Sequence, residues 1–132
     1  MVLVDTSVWI DYFRGSISKE ASYLRGLLER QDDLCVSGII LTEVLQGIPS
    51  ENEFAAVKSL LSSLIFLPDS RQSYELAADI YRTARRQGHT LRNTIDCLIA
   101  AGAITHHVPL LQNDRDFITI SKFSKLRVVD IR

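Results

Sequence analysis

Four acidic residues interrupt the most hydrophobic segments of the chain. Asp5 closes Val2-Leu3-Val4, Glu43 lies between Ile39 and Leu45, Asp96 lies between Thr94 and Ile99, and Asp114 follows Leu110-Leu111-Gln112-Asn113. Charged side chains are rarely buried unless they are paired or hold a metal. No lysine or arginine stands beside Asp5 or Glu43 as an evident partner. Any one of these acids reads as a helix cap or half of an ion pair, but four of them in core-like runs point to one shared site. Two unit charges about 4 Å apart repel by on the order of 4 kcal/mol at an effective dielectric near 20. Convergence therefore requires a cation, and an all-oxygen donor set without paired His or Cys selects Mg²⁺, with Mn²⁺ as a substitute, over zinc. The chemistry natural to such a centre is phosphodiester hydrolysis by metal-activated water.

The elements that must position these acids alternate in type. Val2 to Val4 reads as a buried strand, and Ser7 to Phe13 as a helix with Val8, Trp9, Tyr12 and Phe13 at helical spacing. Residues 18–30 form an amphipathic helix, Leu34-Cys35-Val36 a second strand, and the Ser37-Gly38 turn leads into a helix that carries Glu43 and stops at Gly47 and Pro49. A capping-box pattern at Ser50 to Glu53 opens a helix over 51–64, and Ile65-Phe66-Leu67 is a third strand. Asp69 and Gln72 have cap and N3 spacing before a helix that Gly88 ends. Asn93 or Thr94 caps a helix running to about His106, with Asp96 in its first turn. Residues 109–112 are a fourth strand, Phe117 to Phe123 a short helix or turn, and Leu126 to Ile131 a fifth strand. Strands alternating with helices imply a parallel sheet covered on both faces, with ligands beyond the carboxyl ends of its strands. Asp5 and Asp114 fall at those ends, and Glu43 and Asp96 near the starts of helices on the same side.

The 132 residues fit one domain, 1–132, and 46% hydrophobic with 23% charged is the balance of a soluble globule. Residues 98–104, an apolar run, are too few to span a bilayer, and the N-terminus lacks the basic start and length of a signal peptide, so a cytoplasmic protein without a membrane partner is expected. Cys35 and Cys97 lie in apolar segments and read as buried thiols. A net charge of −1 removes the general electrostatic argument for nucleic acid, yet Arg82, Arg85, Arg86, His89 and Arg92 form a local basic cluster. The adjacent His106 and His107 diverge on a helix end and read as dipole partners, not ligands. No G-x-S-x-G elbow or phosphate loop occurs. A receiver-type phosphoacceptor domain would need a second central Asp after the third strand, where Asp69 is better explained as a cap.

Four segments, Val2 to Trp9, Ser37 to Gly47, Asn93 to Ala100 and Leu110 to Phe117, resemble the ordered motifs of PIN-domain ribonucleases, and within them VapC-type toxins of toxin–antitoxin pairs. The resemblance covers nearly the whole chain and implies a PIN-like three-layer α/β/α fold around a short parallel sheet of about five strands. It implies that Asp5, Glu43, Asp96 and Asp114 ligate the metal, directly or through water, with Asp116 an outer acid that reads equally as a local cap for the turn into Phe117. Thr6 matches the hydroxyl that follows the first Asp. Gln112 departs from the pattern, since members often have Thr or Ser there. The implied function is a Mg²⁺-dependent endoribonuclease restrained by a cognate VapB-like antitoxin, with Arg82, Arg85, Arg86 and Arg92 as RNA contacts. Helices over 18–30 and 51–64 carry more apolar positions than a small sheet needs, which together with the resemblance implies a homodimer. The alternative is a catalytically silent PIN-type RNA-binding or scaffold domain, which would be expected to have lost its acids.

Overall fold

The computed structural model describes residues 1–131. The short hydrophobic runs form strands β1 (Val2–Val4), β2 (Leu34–Ser37), β3 (Ile65–Leu67) and β4 (Leu110–Leu111). Between and after them run α1 (Thr6–Phe13), α2 (Lys19–Glu29), α3 (Gly38–Gln46), α4 (Glu51–Ser62), α5 (Arg71–Arg86), α6 (Thr94–Thr105) and α7 (Arg115–Lys122). The sheet order is β3-β2-β1-β4, all pairs parallel. From β1 the chain steps twice toward one edge through β2 and β3, then returns to the opposite side of β1 as β4. Right-handed crossovers send the helices of the first two steps to one face and α5 and α6 to the other, giving the expected three layers. The direction of stepping reverses between β1 and β4, and the crevice at such a switch point is where α/β sheets bind ligands.

The expected fifth strand is reduced to a single parallel bridge between Leu110 and Val128, with Leu110 N donating to Arg127 O at 2.9 Å and Val129 N to Leu110 O at 2.9 Å. The cause is the brevity of β4, because the chain turns at Gln112 into the cap of α7 and leaves no further partner.

Leu3, Val4, Leu110 and Leu111 are fully buried in the two central strands. Trp9 is fully buried on α1, stacked on Phe13 with centroids 5.7 Å apart, and fixes the helix that carries the first acid. Trp9→Ala at such a site costs about 3–5 kcal/mol. On the other face α6 buries Ala100, Ala101, Gly102 and Ala103, small residues that let α5 approach closely through Ala77 and Ala84. Gly88 ends α5 with φ +81°, a left-handed conformation that glycine adopts without steric cost.

The cap of α5 falls one residue later than its spacing indicates. Ser70 and Ser73 form a reciprocal capping box, while Asp69 lies outside it, against Gly102 and within the field of His106. His106 Nε2 is 2.8 Å from Pro68 O, a backbone tether. The apolar excess expected on α2 and α4 is mostly absorbed: Ala21, Leu24, Leu27, Val57 and Leu61 are buried, and Leu28, Leu60 and Leu64 are half-buried against them. Cys35 and Cys97 are buried free thiols. Among the described residues no helix is long and apolar enough to cross a membrane.

Candidate metal centre

Asp5 leaves β1 and becomes the N-cap of α1, where its Oδ2 accepts from Ser7 N at 3.1 Å and Ser7 Oγ at 2.6 Å. Its backbone N donates to Leu111 O at 2.9 Å, which ties the end of β1 to the end of β4. Thr6 is buried and donates its hydroxyl to Glu43 Oε1 at 2.8 Å, so α1 reaches across to α3 and orients the second acid. Glu43 stands in the second turn of α3, not near its start, because α3 begins at Gly38 directly from β2 without a loop.

Asp96 is in the first turn of α6, below the Asn93 cap, whose Oδ1 accepts from Asp96 N at 3.2 Å. Asp114 is the N-cap of α7: its Oδ1 accepts from Asp116 N at 2.9 Å. The cap of that turn is thus Asp114, and Asp116 is free to turn its carboxylate toward the cluster. Gln112, where a hydroxyl residue was expected, uses Oε1 to accept from Asp114 N at 2.6 Å. Its amide therefore holds the backbone of the acid that follows.

The acids converge. Asp96, Asp114 and Asp116 each offer a carboxylate oxygen, and these lie within 4.8 Å of one another. Burial first, and then the charges of Asp114, Asp5, Asp116 and Glu43 in that order, together push the Asp96 carboxyl up to about 7. Asp5 is also raised, by burial first, partly offset by its hydrogen bonds to Ser7 and Thr6, with Glu43 adding repulsion. Among the described residues no hydrogen-bond donor reaches the Asp96 carboxylate, although Asp5 and Asp114 each accept two hydrogen bonds and Glu43 and Asp116 one each. A divalent cation at about 2.1 Å from octahedral ligands spaces them about 3.0–4.2 Å apart, a range to which oxygens within 4.8 Å of one another come close.

Arg92 is the cation that is present. Its Nη2 lies 2.8 Å from Asp114 Oδ1 and its Nε 3.1 Å from Asp116 Oδ2. The hydrogen bond to Asp116 and the surrounding acids raise its already high pKa. Arg82, Arg85 and Arg86 stand apart from this pairing on exposed positions of α5 and make no ion pair among the described residues. Asn113, unremarked in the sequence, donates to Asp11 Oδ2 at 3.2 Å and ties the loop before α7 to α1. A cavity of about 530 Å³ lined by Leu76, Ile80, Ile104 and Phe123 contains none of the five acids.

The raised Asp96 carboxyl has a signed effect on stability. Its ordinary value is 3.8, so between about pH 4 and 7 the folded chain holds a proton that the unfolded chain has released. Stability from this group is highest at the acidic end, falls as pH rises through that window, and the deficit is complete above about 7. Metal-free protein should melt lower at about pH 7.5 than at about pH 5, and Asp96→Asn should flatten that slope and raise the melting temperature at the higher pH. Thermal melts of the two proteins followed by circular dichroism measure this, and identical slopes would rule it out.

The family model for the PIN domain matches residues 2–122. The chain is 37% identical over 134 residues to Ribonuclease VapC11 of Mycobacterium tuberculosis, covering 100% of both, and 31% identical to Ribonuclease VapC of Rickettsia bellii, covering 96% of both. Its fold is similar to that in the crystal structure of VapBC2 from Rickettsia felis bound to a promoter DNA fragment, with a TM-score of 0.76, 19% identity and 98% of each chain covered. The chain belongs to the PIN domain family, among the VapC ribonucleases.

Proposed function

We propose that the chain, as a single PIN domain over 1–132, is a Mg²⁺-dependent endoribonuclease and the toxin of a toxin–antitoxin pair. The observation that carries this reading is Asp96, a carboxyl pushed up to about 7 by burial and by four neighbouring acids, with no hydrogen-bond donor on it among the described residues. A group in that state is the one a divalent cation would relieve. Membership among ribonucleases of the same length supports RNA as the substrate.

Asp5, Glu43, Asp96 and Asp114 would hold the cation, directly or through water, with Asp116 as an outer acid. When bound, Mg²⁺ or Mn²⁺ supplies a nucleophilic water at neutral pH and stabilises charge on the phosphate oxygens. Thr6 fixes the rotamer of Glu43, and the caps of α1 and α7 fix Asp5 and Asp114. Arg82, Arg85 and Arg86 are offered to the RNA backbone as phosphate contacts that position without reading sequence.

A ribonuclease active in its own cytoplasm needs a restraint, and VapBC2, similar in fold, was solved as a VapBC complex. The partner is a cognate VapB-like antitoxin whose tail folds on this face and places an arginine among the carboxylates. Co-expression with the neighbouring small open reading frame should yield a complex in which RNA is not cut, with cleavage restored by an Arg→Ala change in the partner's tail or by excess Mg²⁺. If no small protein co-purifies and the chain alone neither slows growth nor cuts RNA, the toxin reading fails.

The chain also forms a homodimer in this reading. Edge strand β3 exposes Ile65 and Phe66, at 39% and 53%, which is apolar surface beside an unpaired strand edge. Light scattering at micromolar concentration should give twice the chain mass, and a monomer there would exclude the dimer.

A further inference from the structure

We propose that Arg92 stands in the place of a second divalent cation, so that the chain holds one cation and not two. The inference rests on the reading of the acid cluster as a cation site and deepens it. Asp114 Oδ1 receives Asp116 N at 2.9 Å and Arg92 Nη2 at 2.8 Å, so one oxygen of this acid is fully committed inside the chain. Asp116 Oδ2 receives Arg92 Nε at 3.1 Å. The guanidinium thus bridges the two carboxylates at the start of α7, and of their oxygens only Asp114 Oδ2 and Asp116 Oδ1 remain without a partner among the described residues and are left for a metal.

Two-metal centres place their ions about 3.5–4 Å apart and need carboxylates for both. Here the carboxylates on the outer side are taken by a charge that cannot be titrated away. The backbone beneath Arg92 is held: Leu91 before it is buried, at 5% exposed, and Asn93 after it caps α6. Gln112 agrees with this arrangement, since its amide oxygen is used by Asp114 N at 2.6 Å and offers no hydroxyl to a further ion.

The test is Mn²⁺ stoichiometry on the full chain, purified free of any partner, by electron paramagnetic resonance and calorimetry, with metal-free melting temperature as a second reading. Wild type is expected to bind one Mn²⁺ per chain, and Arg92→Ala two. The metal-free variant should also melt below wild type, because Asp114 and Asp116 lose their counter-charge. Arg92→Lys keeps the charge without the fork and should bind one Mn²⁺ tightly, with any second at least about tenfold weaker than in Arg92→Ala. Arg92→Gln replaces Arg92→Ala if the latter does not fold. Two Mn²⁺ in wild type, or one in Arg92→Ala or its glutamine replacement, overturns the proposal, as does a wild type that binds none. A wild type that binds one Mn²⁺ but never cuts RNA would fail the ribonuclease reading instead, and leave the stoichiometry to decide this one.

Discussion

Asp5→Asn and Asp96→Asn should each lower the rate of RNA cleavage by at least about a hundredfold while the protein stays folded. The size follows from what each carboxylate contributes. Asp96 is the acid whose charge the others oppose most, and Asp5 is 5% exposed at the switch point of the sheet. Replacing either by an amide removes a negative ligand without removing volume. Asn is also a good N-cap, so Asp5→Asn keeps the start of α1 intact. Glu43→Gln and Asp114→Asn should lose nearly as much. Asp116→Asn should lose only about tenfold, because its carboxylate is already engaged by Arg92 and acts at the margin. Single-turnover cleavage with circular dichroism on each variant separates chemistry from folding. Full activity in Asp5→Asn or Asp96→Asn would remove the site, and unfolding of all four ligand variants would return these acids to caps and ion pairs.

Chelation should abolish cleavage outright, and Mg²⁺ or Mn²⁺ should restore it. Activation of water, not of the ribose 2′-hydroxyl, fixes the product ends as 5′-phosphate and 3′-hydroxyl. The cation must also compete with the proton on Asp96, which in metal-free protein leaves near pH 7. Apparent metal affinity should therefore rise with pH up to about 7 and level off above it. End-labelled RNA digested across a pH and metal series reads both points. Undiminished cutting in excess EDTA, or 2′,3′-cyclic phosphate products, would exclude this chemistry.

The parallel sheet and the approximate limits of the helices were legible in the sequence, because helix periodicity and cap residues are local signals. Ser50 caps where its spacing indicates, and of Asn93 and Thr94 it is Asn93 that caps α6. Where two cap residues stood side by side the local signal failed, and Ser70 displaced Asp69 once its partner Ser73 completed the reciprocal pair. That Asp96 and Asp114 share a cluster was legible for a different reason, since each was anomalous in its own hydrophobic run, whereas Asp5 and Glu43 reach it through their charge and Asp116 joins it directly. Long-range pairings were not legible. Thr6 meets Glu43 across 37 residues, and Arg92 meets Asp114 and Asp116 across 22 and 24, from a loop whose course no periodicity specifies. Arg92 read as one more member of a basic cluster, whereas the fold separates it from Arg82, Arg85 and Arg86 and sets it against the acids.

Asp5 and Asp114 begin the two helices that flank the switch point. Each is therefore ordered by the same hydrogen bonds that start its helix, before any cation arrives. Ordering a flexible side chain on binding costs about 0.5–1.5 kcal/mol, and here that entropy is lost during folding. A cation held by these residues, as proposed, would meet side chains already in place and should leave the backbone almost unmoved. Speed of loading would then depend on how fast hydration water is shed, not on how fast the protein rearranges.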